Sequence, residues 1–300
     1  MSRSPAGGAI RVAALLALGV SAAFAARSED VPVRYTLELL DPLETLVGVR
    51  VEVAGDLDGS SEFSLSEGWA GIADAAKDLE LVEARGAGDA LETERLAPYR
   101  WRVTHAPGEP LALVFEFRPT RHRASTGPPE YYLPILEPGL LHAIGTQTLP
   151  SPEHLDGGRA RPIKLAWSGF AEAGWRTISS FGVEGELRTT FPLDAFRHAL
   201  FLAGNLRLAE RKVAGQSLWI ALHGAWKFRD EDFVDLAERI VAMERGFFAD
   251  HSRAHYLISL IPVGGGAGSS WGGTGLTNSF ALFMTGDNAL RADEGVAGVA

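Results

Sequence analysis

The sequence predicts an α+β chain, an antiparallel β-sandwich over residues 26–180 followed by a sheet that carries one long helix over residues 181–300. Three observations predict it. Apolar and polar residues alternate in four stretches before Arg118, the period of half-buried strands. From Asp230 to Phe248 apolar residues return every three or four positions, the period of a helix. The run Tyr256 to Val263 is apolar at nearly every position, which suits a strand covered on both faces.

The N-terminus reads as a targeting segment. Arg3 and Arg11 precede an apolar run from Val12 to Phe24 and the small-x-small pattern Ala23-Phe24-Ala25, so residues 1–25 are expected to be a signal peptide removed before Ala26. The apolar run is shorter than the roughly 20 residues that span a bilayer, and no later stretch is long and apolar enough for a span; an uncleaved anchor is the alternative. After cleavage 26 basic residues face 38 acidic ones, a balance of −12, which disfavours nucleic acid as a partner. The absence of cysteine excludes lipid attachment through a thiol and disulfide staples alike. Secretion into a bacterial periplasm or beyond is the expected location.

In the first unit Val33, Tyr35, Leu37 and Leu39 alternate with Arg34, Thr36 and Glu38, and Val47, Val49, Val51 and Val53 follow the turn at Asp41-Pro42. Tyr99, Trp101 and Val103 repeat the signal, as do Leu111, Leu113, Phe115 and Phe117. Strands at this spacing favour two sheets that bury their apolar faces together. Ten of the sixteen prolines fall between Pro107 and Pro162, so this stretch is expected to be connection rather than central strand. Its Tyr131, Tyr132, Leu133, Ile135, Leu136, Leu140 and Leu141 should pack against a neighbouring unit, with the boundary between 165 and 195.

In the second unit Ala199 to Leu208 and Ser217 to His223 read as strands and Asp230 to Phe248 as a helix. Phe233, Leu236, Ala237, Ile240, Met243 and Phe247 form its expected core stripe, while Asp230, Glu231 and Asp232 at its start and Arg245 near its end suit the helix dipole. A glycine-rich loop is expected over Gly264 to Gly275, then an apolar segment from Leu276 to Met284. That loop has neither phosphate-binding glycine pattern and no lysine after it. Gly268-Ser269-Ser270-Trp271-Gly272 has the G-x-S-x-G spacing of a serine nucleophile, but no histidine follows Ser270 as that order requires. His251 and His255 stand four apart, the zinc spacing, yet Ser252 replaces the glutamate of H-E-x-x-H, and both read as solvated loop residues.

Phe201-Leu202-Ala203-Gly204-Asn205, Trp219 to Trp226, Phe228 to Phe233, Tyr256 to Leu260 and above all Gly272-Gly273-Thr274-Gly275-Leu276-Thr277-Asn278-Ser279-Phe280-Ala281-Leu282 resemble the glycyl aminopeptidase family of zinc metallopeptidases, which often carry a PDZ domain. The likeness extends less specifically through Arg121 to Gly127 and His142 to Glu153. It implies an N-terminal β-sandwich and then the opening of a thermolysin-like catalytic domain. It also implies that Gly272, Gly273, Thr274, Gly275, Leu276, Thr277 and Asn278 border the cleft and contact a peptide or protein substrate. Many relatives have Leu-Glu-His where this chain has Leu276-Thr277-Asn278, so a carboxylate for a substrate amine is missing.

The zinc helix implied by the resemblance should arrive near Leu290, but the sequence runs Leu290 to Ala300 without H-E-x-x-H, its base or its later glutamate ligand. The expectation is therefore a truncated or degenerate family member with no catalytic residues and no zinc of its own, although complete relatives use zinc. It should leave an apolar face exposed where further helices would pack. The alternatives are a periplasmic peptide-binding or interaction module, and a serine hydrolase through Ser270.

Overall fold

In the computed structural model of the chain, the described residues are 31–43, 45–69, 71–118, 132–183, 185–250, 254–263 and 271–285. The signal segment, Arg121 to Gly127, His251, Ser270 and the stretch Leu290 to Ala300 lie outside them. Among the described residues, no helix is long and apolar enough to cross a membrane.

The α+β class and the sandwich are as the alternation dictates. One sheet orders Leu187–Pro192, Ala160–Ser168, Val33–Asp41, Leu46–Ala54, Pro110–Phe117 and Leu79–Arg85. The other orders Ser151–Pro152, Ser60–Ser64, Arg100–Thr104 and Thr93–Ala97. Val33, Tyr35, Leu37 and Leu39 and the odd-numbered residues of Pro110–Phe117 point inward, and Trp101 of one sheet meets Phe115 of the other edge-on at 5.2 Å. The pairing is antiparallel except between Val33–Asp41 and Ala160–Ser168, which run parallel. A parallel neighbour needs a long crossover, and here the chain makes a wide excursion before returning.

Much of that excursion is strand, where the prolines predicted connection. Ile135–Glu137 and Leu140–Ile144 join a middle sheet, ordered Ile135–Glu137, Leu140–Ile144, Leu200–Gly204, Arg176–Ser179 and Gly182–Val183. The prolines sit where strands tolerate them. Pro110 begins its strand, and Pro162 lies one residue before Ile163, where pairing to Val33 starts, so it has a neighbour on one side only.

Leu140–Ile144 and Leu200–Gly204 are buried throughout. Leu141, Ala143, Phe201 and Ala203 belong to the sandwich core, whereas Leu140, Ile144, Leu200 and Leu202 pack on a further sheet. This last sheet orders Arg207–Val213, Gln216–Leu222, His255–Val263, Ser279–Thr285 and Trp271–Leu276. Its first strand corrects the single strand expected over Ala199 to Leu208, because the chain breaks at Asn205-Leu206 and changes sheets. His255–Val263 is covered on both faces, with Leu257 and Ile261 toward the middle sheet and Ile258 and Leu260 toward the helix.

The helix spans Asp230–Phe248 as its period predicts. The Asp232 carboxylate accepts the Arg229 backbone N–H at 3.3 Å, and Ala249 closes the far end with φ 49°. Its buried face matches the expected stripe at Phe233 and Ala237, while Leu236 and Ile240 are half-buried. Phe233, Val234, Ala237 and Val241 meet the sheet, whereas Met243 and Phe247 are exposed. Two apolar stripes share this helix, and the β-branched pair Val234 and Val241 fits the sheet surface. Arg245 is buried and donates to the Val213 carbonyl at 2.9 Å.

Histidines join the last sheet to the middle one. His255, expected in a solvated loop, opens its strand and donates through Nε2–H to the Ser179 carbonyl at 3.1 Å. His223 Nε2 lies 3.9 Å from Glu137, with Arg207 also near. Burial holds both imidazoles below the ordinary 6.5, against the pull of Glu137 on His223 and of the Ser179 carbonyl and Glu210 on His255. A lowered folded-state pKa means that the unfolded chain binds more protons, so stability falls as pH drops below 6.5. The urea midpoint should therefore hold steady above neutrality and decline below 6.5. In His255→Gln the decline should be shallower, as read from unfolding curves across a pH series.

Candidate functional site

The described part of the glycine-rich segment is strand. Trp271–Leu276, expected as loop, runs antiparallel to Ser279–Thr285 and forms one edge of the last sheet. The next three strands inward are mutually parallel, and a sheet of that kind accepts an antiparallel edge strand. Of the seven candidate residues, Gly272, Gly273, Thr274, Gly275 and Leu276 lie on this strand, and Thr277-Asn278 form the two-residue turn after it. Asn278 takes φ 53°, a left-handed conformation that asparagine tolerates. Among the described residues no strand pairs with the outer edge.

Glycine serves two purposes here. A Cβ on Gly273 would come within 2.5 Å of the Phe280 ring and 3.0 Å of the Ala281 carbonyl, so Gly273 allows close packing. A Cβ on Gly275 would meet nothing within 4 Å, so that position has room for a side chain on the sheet face. Trp271, 52% exposed, ends the strand.

The turn is held from inside. Thr277 N–H donates to the His198 carbonyl at 2.8 Å, and Leu257 N–H donates to the Asn278 carbonyl at 3.0 Å, so these groups are already engaged. The Asn278 Oδ1 is buried without a hydrogen-bond partner among the described residues. Beside the turn lies a cleft of about 380 Å³, lined by Phe191, Pro192, Ala195, Asp250, Tyr256 and residues 276–278. Burial pushes the Tyr256 phenol up to about 12, with Glu244 adding to the shift.

One residue that sequence reasoning did not select for the site, Tyr132, reaches the strand, and a second, Gln147, holds Tyr132. The Tyr132 hydroxyl donates to the Gly273 carbonyl at 3.0 Å, and its ring meets Phe283 edge-on at 5.7 Å. Gln147, in the helical turn Gly145–Thr148 after the middle-sheet strand, donates from Nε2 to the Tyr132 carbonyl at 3.2 Å. Its Oε1 is buried without a partner among the described residues. The only early signal was that Tyr132 belongs to a stretch too apolar for a solvated linker.

Among the described residues, no group of three or more His, Asp or Glu side chains is placed to hold a metal ion. His255, turned to Ser179, does not fit zinc ligation, and no step through a metal follows from these side chains. Gly268, Ser269 and Ser270 lie outside the described residues, so the serine spacing gains no geometry.

Valine at position 273 should force the Phe280 ring aside and cost about 1–3 kcal/mol, the usual range for overpacking. Gly275→Ala, facing open space, should stay within about 0.5 kcal/mol of the parent chain. Thermal unfolding of both variants checks the contrast.

No protein-family model and no curated protein matches the chain. Solved structures do. An aminopeptidase N family protein from Idiomarina loihiensis superposes with a TM-score of 0.68 at 16% identity, over 87% of this chain and 44% of that one. An M1 zinc metallopeptidase from Deinococcus radiodurans superposes with a TM-score of 0.50 at 15% identity, over 85% of this chain and 60% of that one. The chain thus spans less than two thirds of either structure, and over most of its own length it has the fold of that part of these metallopeptidases.

Proposed function

We propose that this chain is a relative of the zinc aminopeptidases, of the glycyl aminopeptidase type, and that it holds a peptide in extended form along the outer edge of Trp271–Leu276. The observation that carries the reading is the edge itself: a strand without charged side chains that pairs with no strand on its outer side among the described residues, where the Tyr132 hydroxyl takes the outward-facing Gly273 carbonyl and Gly275 has open space. An extended peptide added there would exchange main-chain hydrogen bonds with the strand, as in other edge-strand recognition. Tyr132 and Gln147 would steady the strand from the middle sheet, and Trp271 would offer an aromatic surface at one end.

Two further observations support the family. The residues Gly272 to Leu282 carry the resemblance, and the structures with this fold are described as an aminopeptidase N family protein and an M1 zinc metallopeptidase, names that imply peptide as the ligand class. Hydrolysis is not proposed for these 300 residues, because H-E-x-x-H occurs nowhere in them.

Fluorescence anisotropy of a labelled peptide library, titrated with the purified chain, tests the reading. Binding should appear, and Gly275→Lys should weaken it by about tenfold or more, since a charged side chain on an open edge blocks strand addition. Circular dichroism should show the variant folded, because position 275 has room for a side chain. Binding that Gly275→Lys leaves unchanged would remove the edge from the account. Zinc content near one per chain, in protein purified without added metal, would instead reopen hydrolysis.

A further inference from the structure

We propose that the outward face of the helix Asp230–Phe248 is a self-association surface, on which the same helix of a second copy of this chain packs side by side and parallel. Leu236, Ile240, Met243 and Phe247 recur at intervals of four, three and four residues, the seam of a two-stranded coiled coil. The fold uses this seam only in part, since Leu236 and Ile240 are half-buried. Phe233, Val234, Ala237 and Val241 meet the sheet from the adjoining flank of the helix, leaving Met243 52% and Phe247 83% exposed. An apolar stripe at heptad spacing takes another helix rather than an extended chain, because its side chains seat between those of a facing helix.

The flanking charges select the occupant. Arg239 lies on one side of the seam and Glu244 on the other, five positions apart, and neither is in an ion pair among the described residues. In a parallel pair a residue in Arg239's flanking position faces the one five positions on in its neighbour. Arg239 would therefore face Glu244 of the second copy, and the symmetry would supply the same pair twice. Antiparallel packing would set arginine against arginine and glutamate against glutamate. The seam is about 17 Å long at 1.5 Å per residue. It should bury less than the ~800 Å² per partner of a stable interface, so the association should be weak and depend on concentration.

Sedimentation velocity of the whole chain over a concentration series tests this. The expected result is a monomer–dimer equilibrium that Met243→Glu with Phe247→Glu weakens by about tenfold or more. Arg239→Glu alone and Glu244→Arg alone should each weaken it, and the double exchange Arg239→Glu with Glu244→Arg should restore it to within about twofold. Helical circular dichroism, unchanged in each variant, separates lost association from lost folding. A chain that stays monomeric at every concentration overturns the proposal. So does a dimer indifferent to Met243 and Phe247, or one that the charge exchange does not restore.

Discussion

The structure depends on two central strands of the middle sheet that have no surface of their own. Leu140–Ile144 and Leu200–Gly204 bury alternate side chains against the sandwich on one face and against the last sheet on the other. A strand covered on both faces can be placed only where two apolar surfaces exist to receive it. This middle layer therefore fixes how the sandwich and the helix-bearing sheet lie relative to one another. Polar contacts at its margins add direction. Buried Arg197 donates to the Leu149 carbonyl at 2.6 Å and to the Ser64 carbonyl at 3.2 Å, and the Tyr35 hydroxyl donates to the Pro150 carbonyl at 2.9 Å. Each leaves fewer ways for the chain between the middle sheet and the sandwich to settle.

The same layering explains why the two edges of the last sheet differ. Arg207–Val213 carries Arg207, Glu210, Arg211 and Lys212, and these charges are engaged: Arg207 pairs with Asp230 at 2.5 Å, and Arg211 with Glu231 and Asp235 on the helix. Such pairs on an exposed surface add little stability, but charges on an edge strand discourage another strand from adding. Trp271–Leu276 has no charge at all. Its inner side is held to Ser279–Thr285, its Gly273 carbonyl is taken by Tyr132, and its turn is pinned to His198 and Leu257. The strand is anchored on its inner side and at the Gly273 carbonyl, and it pairs with no further strand among the described residues.

Both functional proposals therefore rest on surfaces that the core leaves uncovered, one a strand edge and one a helix face. They lie on different elements of one sheet-and-helix layer. The helix faces the strands through Phe233, Val234, Ala237 and Val241, and the edge strand reaches the middle sheet through Tyr132.

The sequence by itself determined the elements that depend on local periodicity. Alternation in Val33–Asp41 and Pro110–Phe117, and the three-to-four spacing in Asp230–Phe248, appear in the structure because pleat and helical pitch are properties of neighbouring residues. The resemblance carried by Gly272 to Leu282 implied the fold that the solved structures share. Tertiary structure alone decided the rest. Proline frequency hid the strands from Ile135 to Ile144, because proline constrains its own backbone and not that of the apolar residues between two prolines. Glycine content hid the edge strand, because its propensity is poor and its pairing comes from Ser279–Thr285. Which of two apolar helix stripes is buried was also beyond the sequence, since Leu236 to Phe247 and Val234 to Val241 are equally periodic. Only the position of the sheet chose between them, and it left Met243 and Phe247 outside.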